Sequence, residues 1–168
     1  MTQRCLYLGD NLSPELILQL TATDGGVVQA TRLPIVIADP MSTSLTLELG
    51  SVEGQSRLLD WLRQNDTPRR ILCELQAFEF VTRDAGGTRS ASDYLSAQIV
   101  GITRILEAAL SLNPELRWVF LKPPVADVWS DASVAYFRVL VEGLRRAAPS
   151  ARFDFLSMDQ IYLGADQI

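Results

Sequence analysis

Apolar positions along this chain follow two alternating periods. Short apolar runs stand at Cys5–Leu8, Val27–Ala30, Ile71–Cys73, Trp118–Leu121 and Phe153–Leu156. They are bounded by polar or turn-forming residues and read as buried strands. Leu45–Leu49 alternates apolar with polar residues, the pattern of a strand with one face more buried. Between these runs apolar residues return at helical spacing. Leu16, Ile17 and Leu20 mark one helix, and Val52, Leu58, Leu59 and Leu62 a second, with Trp61 near its end. Leu95, Ile99, Ile102, Leu106 and Ala109 mark a long helix over 94–112. Val134, Phe137, Val141, Leu144 and Ala148 mark another over 132–148.

Turn chemistry punctuates the elements. Ser13-Pro14-Glu15 supplies an N-cap, a first-turn proline and a first-turn acid. Asp24-Gly-Gly26 ends that helix, Gly50 and Ser51 open the next, and Asn65-Asp-Thr-Pro68 closes it. Leu33–Ala38 reads as extended, because Pro34 disfavours helix at the residue before it. Pro40 marks a turn, and the strand from Ile71 is extended toward Phe80. Residues 83–90 form a polar, glycine-bearing loop, and Pro114 closes the long helix. Pro123 and Pro124 lack backbone donors and end the strand before them. After the strand at 152–156 the tail reads as a loop with a short element. Strands alternating with helices imply an α/β domain over residues 1–168, with a mostly parallel sheet of about six strands.

Both late helices carry a second face. Tyr94, Gln98, Gly101, Ile105 and Ala108 form one, and Tyr136, Leu140, Gly143 and Ala147 the other. A helix apolar on two sides needs two partners, the sheet and either a neighbouring helix or another subunit. Composition narrows the chemistry. The net charge is −5 and basic residues are scattered, with Lys122 the only lysine, so neither nucleic acid nor an anionic membrane is an expected partner. The chain has no histidine. That removes Ser-His and Cys-His nucleophiles, histidine acid–base work and histidine-built zinc sites. Cys5 and Cys73 sit inside strand-like runs and read as buried thiols, with no spacing that builds a metal site. No signal sequence or apolar span of membrane length is present, so a cytoplasmic location is expected.

Five segments carry a resemblance. They are Leu47-Glu-Leu-Gly-Ser-Val-Glu53, Ile71-Leu-Cys-Glu-Leu-Gln-Ala77, the helix from Gln98 to Leu110, Trp118-Val-Phe-Leu-Lys-Pro-Pro-Val-Ala126 and Val141-Glu-Gly-Leu-Arg-Arg-Ala147. In this order they resemble segments of the short-chain dehydrogenase/reductase superfamily, across nearly the whole chain. The resemblance implies a Rossmann-like three-layer α/β/α fold. It also implies a shortened copy, because the chain stops soon after the sixth strand.

The same resemblance locates what is missing. The family's glycine-rich turn becomes Gly9-Asp-Asn-Leu-Ser-Pro-Glu15, where Asp10 and Glu15 repel phosphate and Pro14 removes a donor. The Asn-Asn-Ala-Gly segment becomes Glu74-Leu-Gln-Ala77, and the helix Asn becomes Gln98. The catalytic Ser falls on Pro123 or Pro124, and the Tyr and Lys on Val134 and Arg138. Neither Val nor Pro transfers a proton or polarises a carbonyl, and Arg138 cannot act as a base at neutral pH. The expectation is a non-catalytic chain with no catalytic, cofactor-binding or metal-binding residues.

Individual residues carry alternative readings. Tyr136 is a helix-face aromatic or a catalytic tyrosine in a shifted frame. Tyr94 with Asp93 is a helix-start pair or a substrate contact. Glu74 is a strand-end carboxylate reaching solvent or a buried acid with a raised pKa. Gly86-Gly87 is a linker, since no lysine follows to make a phosphate loop. Trp61, Trp118 and Trp129 belong to the core or an interface.

The resemblance implies pairing of the two late helices as a four-helix bundle, in a homodimer or with an active reductase or acyl-processing enzyme. The expected interface comprises Leu95, Ile99, Ile102, Leu106, Tyr136, Leu140, Gly143 and Ala147. Three alternatives stand beside it. One is the structural subdomain of polyketide synthase ketoreductases, which is similarly truncated. Another is an NADH- or NADPH-dependent enzyme with an atypical cleft of Glu48, Glu74, Asp127, Asp131 and Arg138. The third is a sensor for an acyl or nucleotide ligand.

Overall fold

A computed structural model describes residues 4–31, 43–46, 52–65, 68–76, 92, 95–124 and 127–159. Six strands form one sheet: β1 (Cys5–Leu8), β2 (Val27–Thr31), β3 (Thr43–Thr46), β4 (Arg70–Glu74), β5 (Arg117–Lys122) and β6 (Arg152–Ser157). Their order is β3-β2-β1-β4-β5-β6 and every pairing is parallel. The chain therefore winds outward from β1 in one direction and then from β4 in the other. This is the Rossmann-like strand order, with its switch point between β1 and β4. The helices are α1 (Pro14–Asp24), α2 (Val52–Gln64), α3 (Gly101–Leu112) and α4 (Val128–Ala147), and a π-helical segment, Leu95–Val100, leads into α3.

Strand alternation divides the core into two layers. Leu6, Leu8, Ile71, Cys73, Trp118, Phe120 and Phe153 face α2, α3 and α4. Cys5, Tyr7, Val27, Leu72, Val119 and Leu121 cluster with Leu16, Ile17 and Leu20 of α1. Phe120 anchors the first layer: it stacks on Phe137 of α4 at 4.9 Å and on Phe155 of β6 at 4.7 Å between ring centroids. At the other end of the sheet, the buried Arg70 guanidinium pairs with Asp24 and donates to Thr23 Oγ1 at 2.9 Å, tying the end of α1 to the start of β4.

The helix ends follow from local chemistry. Ser13 Oγ accepts from Leu16 N at 3.2 Å, and Gly25, with φ of 71°, ends α1 in the left-handed region. Helix α4 starts at Val128, four residues before the boundary drawn from periodicity. Asp127 accepts from Ser130 N at 2.8 Å, and Ser130 Oγ accepts from Asp127 N at 2.9 Å. This reciprocal box stabilises an extra turn that carries little apolar signal. The long helix likewise differs from a uniform α pattern, because residues 95–100 take the wider π geometry. Lys122 belongs to β5, and β3 starts at Thr43.

Several expectations fall outside the described residues: the extended stretch at 33–38, the turn at Pro40, the cap at 50–51, the extension to Phe80, the loop at 83–90, and Glu48, Asp93 and Tyr94. No helix among the described residues is long and apolar enough to cross a membrane.

Two substitutions test this account. Phe120→Ala removes the ring on which the aromatic stack is built and is expected to lower unfolding free energy by about 3–5 kcal/mol. Asp127→Ala removes only a cap and is expected to cost about 1 kcal/mol. Urea denaturation followed by circular dichroism measures both, and equal losses would contradict the assignment.

Candidate functional site

Polar side chains collect at the carboxyl ends of β1, β2 and β4, on the α1 side of the sheet. Tyr7, Gln29 and Glu74 all point to this face, because Tyr7 pairs across the ladder with Gln29 and with Leu72, two residues before Glu74. All three are buried. The solvent-reaching alternative for Glu74 is thereby corrected: β4 ends beneath the β1–α1 turn, and the side chain is only 4% exposed.

The Glu74 carboxyl is the hub. It accepts from the Tyr7 hydroxyl. From the turn it accepts Asn11 N at 2.9 Å, Asp10 N at 3.3 Å and Asn11 Nδ2 at 3.1 Å. Gln76 Nε2 donates to it at 3.1 Å and lies 3.3 Å from Asp10 Oδ2. Gln29 Nε2 donates to Gly9 O at 2.9 Å and holds the turn from the other side. Gly9 has φ of 153°, and a Cβ there would lie 2.3 Å from Glu74 Cδ. Glycine is required because the carboxyl sits against its backbone.

Burial pushes the Glu74 pKa upward. Hydrogen bonds from Tyr7, Gln76 and Asn11 oppose the shift, and the neighbouring Asp10 charge adds to it. Burial also pushes the Cys5 thiol up to about 12 and Cys73 well above its ordinary range. Both thiols are inert at neutral pH.

In Rossmann-like folds the first strand–helix turn presents backbone donors to a pyrophosphate. In this chain the donors of that turn, Asp10 N and Asn11 N, are already bonded to an internal carboxyl. The residues do not fit the group: a phosphate at the same donors meets the Glu74 oxygens.

A second feature lies across the sheet. A cavity of about 160 Å³ opens at the carboxyl ends of β5 and β6, with Leu75, Phe120, Val134, Arg138 and Phe155 among its lining residues. Val134 and Arg138, one turn apart on α4, share its wall. Lys122 also lines it and pairs with Asp131 at 2.8 Å. The structure thus separates the expected cleft acids. Glu74 is buried on the opposite face, Asp127 caps α4, and Asp131 is paired with Lys122. Gln98 is buried in the π segment, and its Nε2 has no hydrogen-bond partner among the described residues. Among the described residues no three potential ligands cluster to hold a metal.

The expected interface residues also divide. Ile102 and Leu106 are buried at 3% and 0% exposure, packed within the core, so they are corrected to core positions. Leu95, Tyr136, Gly143 and Ala147 are exposed, and Ile99 and Leu140 are half-buried. The Tyr136 hydroxyl lies 3.3 Å from Thr103 Oγ1 and joins α4 to α3. Sequence reasoning missed the role of Tyr7, Gln29 and Gln76. The available signal was polar residues within or just after otherwise apolar strands.

No protein-family model matches this sequence, and a search of curated proteins finds no match. Solved structures do match. A short-chain dehydrogenase from Leptospira borgpetersenii with bound NAD+ superposes with a TM-score of 0.64 at 10% identity, over 94% of this chain and 71% of that one. A short-chain dehydrogenase/reductase from Brucella melitensis gives 0.62 at 14% identity, over 94% and 75%. An alcohol dehydrogenase from Thermococcus sibiricus complexed with 5-hydroxy-NADP gives 0.60 at 13% identity, over 92% and 75%. The chain is structurally similar to the short-chain dehydrogenase/reductase superfamily and shares its Rossmann-like fold.

The Glu74 shift predicts a pH signature. An acid whose folded pKa is raised stabilises the fold most below its ordinary value of 4.5, and that contribution is lost as pH rises through the folded pKa. Wild type is therefore expected to lose more stability than Glu74→Gln between pH 5 and pH 8. Parallel urea midpoints for the two proteins over that range would contradict the burial argument.

Proposed function

We propose that this protein is a non-catalytic relative of the short-chain dehydrogenases that works by association, as a structural or regulatory subunit. The observation that carries this reading is the Glu74 carboxyl on the backbone donors of the β1–α1 turn. A dinucleotide would have to break those bonds and approach a buried acid. The positions matching the family's Tyr and Lys, Val134 and Arg138, support the same conclusion, since neither residue exchanges a proton with a substrate at neutral pH.

Association is supported by the exposed face of α4. Gly143 lies inside this helix, where glycine costs roughly 1 kcal/mol relative to alanine. Among the described residues, the helix's own backbone aside, nothing lies within 4 Å of a Cβ placed there, so packing against them does not require glycine. A second helix packed closely on this stripe would. Tyr136, Leu140 and Ala147 continue the stripe, and the exposed Leu95 and Val100 flank α3. The partner is a second copy of this chain or an active reductase, and the work is done in the cytoplasm.

Fluorescence titration with NADH and NADPH tests the first half. Wild type is expected to show no saturable binding up to millimolar concentration. Micromolar binding would favour an oxidoreductase with an atypical site instead. Gly143→Arg tests the second half. It is expected to leave the melting temperature unchanged or slightly raised while shifting the assembled species to monomer in analytical ultracentrifugation. An assembly unaffected by Gly143→Arg would exclude this face.

A further inference from the structure

The cavity between α4 and the carboxyl ends of β5 and β6 has a chemistry of its own. It lies on the opposite side of the sheet from Glu74, so it is separate from the closed turn. Its floor is aromatic: Phe120 and Phe155 stack nearly parallel, 16° between planes. Leu75 and Val134 add aliphatic walls. Two cations stand among these apolar groups. Lys122, at the end of β5, shares its charge with Asp131. Arg138 projects from α4 with its Cζ 5.2 Å from the Phe155 ring centroid, and no carboxylate partners it among the described residues. The aromatic ring attracts the guanidinium through its face, an interaction that does not use up the N–H groups that can bind a planar anion.

The geometry points to a binding site for a small apolar monocarboxylate. Volume sets the size, since an apolar cavity of about 150 Å³ takes a benzene-sized molecule, close to the 160 Å³ here. Charge sets the polar end. Two cations and one acid leave a net positive rim, and Arg138 provides a fork suited to two carboxylate oxygens. The aromatic floor sets the body, because a single ring or branched chain of about six carbons fills the volume against Phe120 and Phe155. A thioester-linked acyl group lacks the anionic end and is disfavoured. This site is independent of the association reading and stands whether or not α4 pairs with another subunit.

Benzoate is the probe, with benzyl alcohol as its neutral counterpart, titrated into the full chain by calorimetry and by ligand-observed NMR. Benzoate is expected to bind about tenfold or more tightly than benzyl alcohol, the factor a charge-assisted hydrogen bond supports. Arg138→Gln, an exposed change that circular dichroism should show folded, is expected to weaken benzoate about tenfold and leave benzyl alcohol unchanged. Val134→Trp fills the cavity and is expected to abolish both. Leu18→Gln, on the distant α1, is expected to change neither. Equal affinity for the two probes, no binding of either, or benzoate binding unaltered by Arg138→Gln would each overturn the proposal.

Discussion

A carboxyl group removed from water at the switch point of a parallel sheet is the constraint on which this structure turns. Desolvating Glu74 costs several kcal/mol unless donors replace the lost water. The fold supplies them from β1, from the first turn and from the residue two beyond it in the chain. This arrangement governs its surroundings. It requires glycine at position 9, draws the backbone of Asp10 and Asn11 inward, and sets how the chain leaves β1 to begin α1. Gln29 completes the clamp from the neighbouring strand. A turn that serves ligands in related folds is thus part of the interior.

The two faces of the sheet have diverged from this starting point. On the α1 face the carboxyl ends of the strands are closed by polar contacts. On the other face, α2, α3 and α4 cover an apolar layer centred on Trp118, Phe120 and Phe137, and a cavity remains beside Arg138. The aromatic stack forms that floor, while the cations at its rim stay partly in solvent. The backbone donors of the first turn are engaged internally, while the other face keeps an apolar cavity with a guanidinium at its edge. The exposed stripe of α4 lies on the same helix as Arg138.

The architecture was legible because burial imposes periodicity. Strands such as Leu6–Leu8 and Trp118–Leu121 must be apolar on both sides when helices cover a parallel sheet. The caps at Ser13 and Gly25 stand where local chemistry demands them. The start of α4 was less legible, because its first turn rests on the Asp127–Ser130 box rather than on apolar spacing. On the long helix, two residues of the expected interface stripe, Ile102 and Leu106, lie in the core instead. Ile102 and Leu106 have the same spacing as surface residues would, but α2 and the sheet enclose them.

The sequence by itself determined an alternating α/β fold and the absence of histidine chemistry. These follow from residue type and local spacing. The tertiary structure alone decided the fate of Glu74. Apart from Gln76, its hydrogen-bond donors lie more than sixty positions away in the chain, at Tyr7, Asp10 and Asn11. Only the strand order β2-β1-β4 brings them beside it. A carboxylate at a strand end is equally consistent with solvent and with burial until its non-local partners are known, since both its pKa and its role are set by what surrounds it.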